Sequence, residues 1–438
     1  MNALRTIPSL VGAAALALAA GGCDWRTFDD LADQAWANSS SSPSAINASN
    51  YGTGVAFSGT SANGVKFLAT TERPDGVAMI QYDSAGKLTG GGETIEGGGG
   101  ATSPDPLAVR PPLAGDVMST EGAIGIGLGE AGGTAGRVLI YRPDGPSLFR
   151  SIPVGTAAVD AVGFGPVNNP DNSGMVDLIA TTGQEITVVS AYEADANTRT
   201  VETCTVAQDR AYAVAVADVD SGSAESEIVV SMGNANQDGA PSAVTILDGA
   251  TVSAAAADQT DQSCVANGRT SLGELTAPGS EPDFGAALVV ADFDGGNGLD
   301  IAVGAPSSNK VYVYMNVDFN GGTPGAPIEI NGPSGSGKFG ETLAAGDFDG
   351  DGADELVVGD TQITVSGAKN AGRAYIIPSD GNFGTQYTLG DADPEGDQNF
   401  GRGLAVGTFD GTGTVLAVAA RKEVFTYFRT QLSDDVRK

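Results

Sequence analysis

An all-β fold built from seven copies of one small antiparallel sheet is what this sequence predicts, and three observations predict it. An aromatic-Gly pair, an Ala/Gly/Val run, an Asp/Gly-rich turn and a second apolar run recur along the chain. They are clearest at 284–306 (FGAALVVADFDGGNGLDIAVGAP) and 339–359 (FGETLAAGDFDGDGADELVVG). A third run, rich in Val and Tyr, follows each copy. Apolar residues alternate with period two between Gly, Asp and Asn, which is the signature of short strands, and only residues 25–37 carry a stripe at helical spacing.

The copies open at Tyr51-Gly52, near Ala108, near Thr156, and at Tyr212-Ala213, Phe284-Gly285, Phe339-Gly340 and Phe400-Gly401. Their third strands are VAMIQY (77–82), RVLIYR (137–142), ITVVSAY (186–192), AVTIL (243–247), KVYVYM (310–315), RAYII (373–377) and EVFTYF (423–428). One copy cannot bury its own faces, so the copies must pack on each other. Radial packing of four-stranded antiparallel sheets gives a β-propeller and leaves few open edges. The seventh copy stops after its third strand. Residues before Tyr51, including the Ser-rich stretch 38–44, are expected to supply the missing strand, so that the N- and C-terminal segments pair and close a seven-bladed ring. The expected division is 1–22 signal peptide, 23–44 tether, 45–430 propeller and 431–438 polar tail.

The N-terminus reads as an address. Arg5 gives a positive start, residues 10–20 form an apolar run too short to span a bilayer as a helix, and Gly21-Gly22-Cys23 follow. Small residues before a lone cysteine resemble a bacterial lipoprotein signal, although Ala20 stands where that signal usually has leucine. The resemblance implies lipidation of Cys23 and a chain held to a membrane through an N-terminal lipid only. It would lie at the outer-membrane surface or facing the periplasm, or be secreted if it carries no lipid. Cys204 and Cys264 are the remaining cysteines. In an oxidising compartment two leftover thiols are expected to form a disulfide.

Acids outnumber bases by 54 to 22, a formal net charge of −32. Such a surface repels nucleic acid and draws cations, so no nucleic-acid partner is expected. Asp347, Asp349, Asp351 and Glu355 stand at positions one, three, five and nine of a tight loop. Carboxylates at this spacing can converge on one point, and they share it only around a hard cation; Ca2+ takes oxygen ligands in flexible geometry.

The FG opening, the DxDxDG loop with a later acid, and VGAP at 303–306 resemble FG-GAP repeats, which build the seven-bladed propeller at the head of integrin α subunits. The resemblance spans about residues 45–430 and is strongest in the fifth and sixth copies. It implies that the acidic loop joins the first two strands and holds calcium on one face of the disc, with ligands on the opposite face. In the sixth copy the implied ligands are Asp347, Asp349, Asp351, the Ala353 carbonyl and Glu355, where the family usually has aspartate. In the fifth they are Asp292, Asp294, Gly298 and Asp300, with Gly296 replacing the third acid. The fourth offers Asp218, Asp220 and Glu227, with Gly222 in place of an acid. The third carries Asp171, Asn172 and Asp177, and the seventh keeps only Asp410 between Thr408 and Thr412.

No enzyme is expected. With His 0, a Ser-His-Asp triad, a histidine zinc site and an imidazole base are all excluded. GPSGSGKF (332–339) nearly matches a phosphate loop, but Phe339 replaces the magnesium-binding hydroxyl and a strand follows instead of a helix. No carboxylate pair stands apart from the loops as a catalytic couple. The expected function is a calcium-stabilised adhesion or protein/glycan-binding scaffold at the bacterial envelope, with the loops 233–242 and 319–338 as candidate contact surface. The alternatives are a carbohydrate- or lipid-active hydrolase using acidic residues and an envelope assembly factor.

Overall fold

The computed structural model describes the strands between residues 38 and 428 and, after residue 271, most of their connections. Residues 1–37 and 429–438 lie outside the described residues. So do the connections 42–50, 72–76, 83–87, 96–100, 111–122, 131–135, 143–146, 168–175, 191–199, 220–225, 235–241, 253–262, 265–270 and 318–323, and several shorter gaps. The signal segment, Cys23, the helical stripe at 25–37, most of the loop 233–242 and the tail 431–438 therefore fall outside.

The described residues form an all-β structure whose strands lie in seven antiparallel sheets, with one 3-10 turn at Pro306–Ser308. No helix among them is long and apolar enough to cross a membrane. The first sheet takes Tyr51–Ser61, Gly64–Thr71, Val77–Tyr82 and Leu88–Ile95 in chain order. The third takes Ala161–Gly165, Asp177–Thr182, Glu185–Ser190 and Thr200–Thr205, and the fourth Asp209–Ala217, Glu227–Asn234, Ala243–Leu247 and Ser271–Leu275. The fifth takes Leu288–Ala291, Asp300–Ala305, Lys310–Tyr314 and Ile328–Asn331. The sixth takes Phe339–Gly346, Glu355–Asp360, Arg373–Ile377 and Tyr387–Leu389. Each of the seven Val/Tyr-rich segments overlaps the third strand of its sheet, counting the split first strand of the second sheet as one.

One expectation needs correction. The second sheet has five strands, because its first strand is split: Ala101–Ser103 and Leu107–Arg110 both pair with Ala123–Glu130, Ala101 opposite Glu130 and Leu107 opposite Ile126. The third copy's first strand starts at Ala161, past the copy's opening near Thr156, whose N–H bonds to Glu185 Oε2 at 2.5 Å.

The seventh sheet comprises Gly403–Phe409, Gly413–Ala420 and Glu423–Phe428, and its fourth strand is Asn38–Ser41, with Asn38 opposite Thr426 and Ser41 opposite Glu423. This strand lies inside the segment expected to be tether. From the second sheet onward the first strands lie side by side in order, and Tyr51–Ser61 of the first sheet lies against both Leu107–Arg110 and Gly403–Phe409.

The core sits between sheets. In the second strand of the fifth sheet, Ile301, Val303 and Ala305 pack against the fourth sheet's Val229, Val244 and Ile246, while Ala302 packs against the sixth sheet's Leu356 and Val358. Val357, between those two, faces the seventh sheet's Leu416 and Val418. Alternate residues thus serve opposite faces, and both faces are buried, which is why these strands read as nearly continuous apolar runs. Each such side chain contributes roughly 1.5–3 kcal/mol on full burial, and none of that is available to an isolated sheet.

The FG pairs have a packing reason. Phe284, Phe339 and Phe400 are fully buried at the seams between sheets. Gly340 and Gly401 adopt φ of 89° and 88°, a region that favours glycine. They bring two backbones together: a Cβ on Gly304 would lie 2.0 Å from the Gly340 carbonyl oxygen, and one on Gly359 would lie 2.3 Å from that of Gly401.

Candidate metal centre

Each acidic loop is held open by its own backbone. In the sixth sheet the Gly350 N–H donates to the Asp347 carboxylate, the Asp351 N–H to Asp349 Oδ1 at 2.9 Å, and the Ala353 N–H to Asp351 Oδ1 at 2.8 Å. These bonds make a chain of Asx-type turns, with Gly350 and Gly352 at φ of 84° and 95°. The loop then delivers Glu355 to the start of the second strand, opposite Gly346. There Glu355 is buried, and its Oε2 accepts the Phe348 N–H at 2.6 Å.

The same device recurs. In the fifth sheet, buried Asp300 stands opposite Ala291 and its Oδ2 accepts the Phe293 N–H at 2.7 Å. In the fourth, buried Glu227 stands opposite Ala217 and its Oε2 accepts the Val219 N–H at 2.8 Å. In the third, buried Asp177 stands at the same register, opposite Gly165. In the fourth, fifth and sixth sheets the last acid closes the turn as well as offering a charge, and glutamate does this as well as aspartate.

Asp347, Asp349 and Glu355 each present a carboxylate oxygen, and these oxygens lie within 4.8 Å of one another; the same holds for Asp292, Asp294 and Asp300. Unit charges about 4 Å apart interact by about 4 kcal/mol at an effective dielectric constant near 20. A cluster of three carboxylates is therefore costly until a cation or a proton joins it. Burial, and then the charges of Asp349, Asp347 and Asp351, push the Glu355 carboxyl up to about 8. Burial likewise raises Asp300, with Asp294 and Asp292 adding to it. An all-oxygen set with one deeply buried member suits a hard cation, and in chemistry and arrangement both clusters fit one.

Other expected ligands stand elsewhere. Asp351 is exposed and outside the group of three, since its Oδ1 is turned onto the Ala353 N–H. Ala353 is buried and Gly298 half-buried within their loops. Asp218 is exposed, while Asp220, Gly222, Asp171, Asn172, Asp410 and Thr412 lie outside the described residues. Cys204 and Cys264 form a disulfide with Cα atoms 5.2 Å apart. It ties the fourth strand of the third sheet to the connection before the fourth strand of the fourth sheet. The Cys264 N–H also donates to the Thr205 carbonyl at 2.8 Å.

Two residues that sequence spacing did not indicate belong to these loops. Asn316, beyond the fifth sheet's third strand, donates its side-chain amide to Asp294 Oδ2 at 2.8 Å and its N–H to Asp300 Oδ1 at 2.6 Å, and so stands by the loop that lacks a third acid. Asp354, beside Glu355, donates its N–H to the Asp292 carbonyl of the neighbouring loop at 2.7 Å. No local motif marks the first; the second is hidden in a run of acids.

The phosphate-loop-like segment has an internal explanation. The Gly337 and Lys338 N–H groups donate to Asp360 Oδ1, at 3.2 and 2.8 Å, and Asp360 is fully buried. The glycines cradle a carboxylate of the chain itself, and Phe339 fills the seam between sheets.

Residues 339–377, which include the whole acidic loop of the sixth sheet, match the FG-GAP repeat family. The chain is also similar to integrin alpha-PS2 of Drosophila melanogaster, at 29% identity over 33% of this chain and 12% of that protein. It thus spans about an eighth of the length of this curated relative.

Proposed function

We infer that this chain is a seven-bladed β-propeller closed by its N-terminal strand, stiffened by calcium in the loops of its fifth and sixth blades, and that it acts as a non-enzymatic adhesion or protein/glycan-binding scaffold outside the cell. The convergence of three carboxylates in each of two successive loops, one of them inside the segment that matches the FG-GAP repeat, carries this reading. Pairing of Asn38–Ser41 with Glu423–Phe428 supports closure, as does the contact of Tyr51–Ser61 with Gly403–Phe409. Likeness to an integrin α chain favours a surface role in adhesion over catalysis.

In the sixth blade Asp347, Asp349 and Glu355 would hold the ion, with the Ala353 carbonyl and Asp351 near it. In the fifth, Asp292, Asp294 and Asp300 would do so, with Gly298 and Asn316 beside them. The ion supplies positive charge that offsets the mutual repulsion of the carboxylates. The protein's part is to fix the loops through the Phe348 and Phe293 N–H bonds. Lipidation at Cys23 would place the disc on the bacterial envelope, its calcium loops on one face and its ligand surface on the other.

Native mass spectrometry of residues 23–438 with added calcium tests the metal assignment. Two bound ions are expected, falling to one in Asp349→Ala; an unchanged mass at millimolar calcium would refute it. Binding of the same protein to arrays of surface glycans and envelope proteins, beside a glycan and ester hydrolysis screen, tests the scaffold reading. Turnover in that screen without stable binding on the arrays would overturn it.

A further inference from the structure

Neighbouring loops are stitched together by one recurring backbone bond. In the sixth sheet the residue before the buried acid, Asp354, donates its N–H to the carbonyl of Asp292, the first residue of the fifth sheet's loop, at 2.7 Å. In the fourth sheet Ser226, before Glu227, donates in the same way to Pro166 of the third sheet at 3.0 Å. The seventh sheet varies the theme, with the Thr414 hydroxyl donating to the Asp347 carbonyl.

Asp354 adds a contact that the fourth-sheet example lacks. Its Oδ2 accepts the Asp292 N–H at 3.3 Å, so the two residues are joined by reciprocal bonds. One half-buried residue of the sixth loop, next to the buried Glu355, therefore grips the first residue of the fifth loop through both its backbone and its side chain. Proline at 166 has no N–H to give, and Ser226 has no carboxylate to receive one.

We propose that Asp354 is a positioning residue that couples the two cation loops, so that an ion held by Asp347, Asp349 and Glu355 raises the affinity of the cluster Asp292, Asp294 and Asp300. An ion on Glu355 fixes the adjacent Asp354, and Asp354 in turn fixes the backbone of Asp292, leaving the weaker fifth loop less to order on binding. By linkage the effect is reciprocal. Two like-charged ions acting only through their charges would oppose each other, so positive coupling is the distinctive result. The inference rests on the calcium reading of both loops.

A double-mutant cycle on the full mature chain tests it by calorimetric calcium titration of wild type, Asp349→Ala, Asp354→Ala and the double variant. In the wild-type background, disabling the sixth loop with Asp349→Ala should weaken the fifth loop's affinity by about fivefold or more, the lower end of usual couplings. In the Asp354→Ala background the same change should leave the fifth loop's affinity unaltered. Asp354→Asn, which keeps the side chain's shape, serves as a second variant, and far-UV circular dichroism checks that each protein folds. Equal fifth-loop affinity with and without Asp349, or coupling that persists undiminished without Asp354, would overturn the proposal while leaving the calcium sites standing. Absence of any calcium binding in wild type would instead overturn the calcium reading and this inference with it.

Discussion

Glu355 carries two duties that pull in opposite directions. Its oxygen closes the turn by accepting the Phe348 N–H, while its charge adds to that of Asp347 and Asp349. Glu355→Gln keeps an acceptor of the same reach and removes the charge. In chelator at pH 7 this variant should match or exceed wild-type stability, because folding no longer has to protonate or bury a carboxylate that is charged in the unfolded chain. In millimolar calcium it should be less stable than wild type by about 1–3 kcal/mol, the scale of a lost charged contact. Urea unfolding under both conditions reads the crossover, and a variant with the same rank in both would argue against a cation at this cluster. Gly304 is a second residue-scale test, since its missing Cβ leaves room for the Gly340 carbonyl. Gly304→Ala should cost about 1–3 kcal/mol or more through overpacking. Gly325→Ala, where a Cβ would meet nothing within 4 Å, should be near neutral in the same urea melts.

At the scale of elements, two fastenings hold strands that local sequence cannot hold. The Cys204–Cys264 disulfide closes a separation of 60 residues between two sheets. Cys204→Ser with Cys264→Ser should lower stability by about 2–4 kcal/mol, measured by guanidinium unfolding under oxidising conditions; no change would mean that the neighbouring backbone bonds suffice. The strand Asn38–Ser41 covers the edge of Glu423–Phe428. Deleting residues 1–41 should leave that edge open, lower the melting temperature and promote association in light scattering; a monomer with an unaltered melt would show that the strand contributes little.

The third strands were legible because Val and Tyr alternate in them, and because every sheet repeats the order. The first strands were less so. They are rich in Ala and Gly, which pack closely but carry little β-propensity, and so Leu288–Ala291 begins past the FG pair and the second sheet's first strand breaks in two. The acidic loops were half legible. Spacing placed Asp347, Asp349 and Glu355 together, but it could not show that Asp351 turns to its own backbone, nor that Asn316 arrives from another strand. Contacts such as that of Asp354 to Asp292 depend on how sheets stack, which no single repeat encodes.

For the whole molecule, stability is shared among interfaces between sheets, and calcium in the acidic loops is proposed to add to it. A chain of net charge −32 also repels itself. Monovalent salt will relieve part of that repulsion, since the Debye length is about 8 Å at physiological ionic strength. The effect of calcium must therefore be measured above that background. The most direct measurement is thermal unfolding of residues 23–438 at constant salt of about 0.15 M, in excess calcium and in excess chelator. Because an ion that binds only the folded state stabilises it by about 2.7 kcal/mol at a hundredfold excess over its dissociation constant, the melting temperature should rise by several degrees with calcium, and Asp347→Asn with Asp349→Asn should reduce the rise to the share of the fifth loop. Superimposable melts in calcium and chelator would contradict the account.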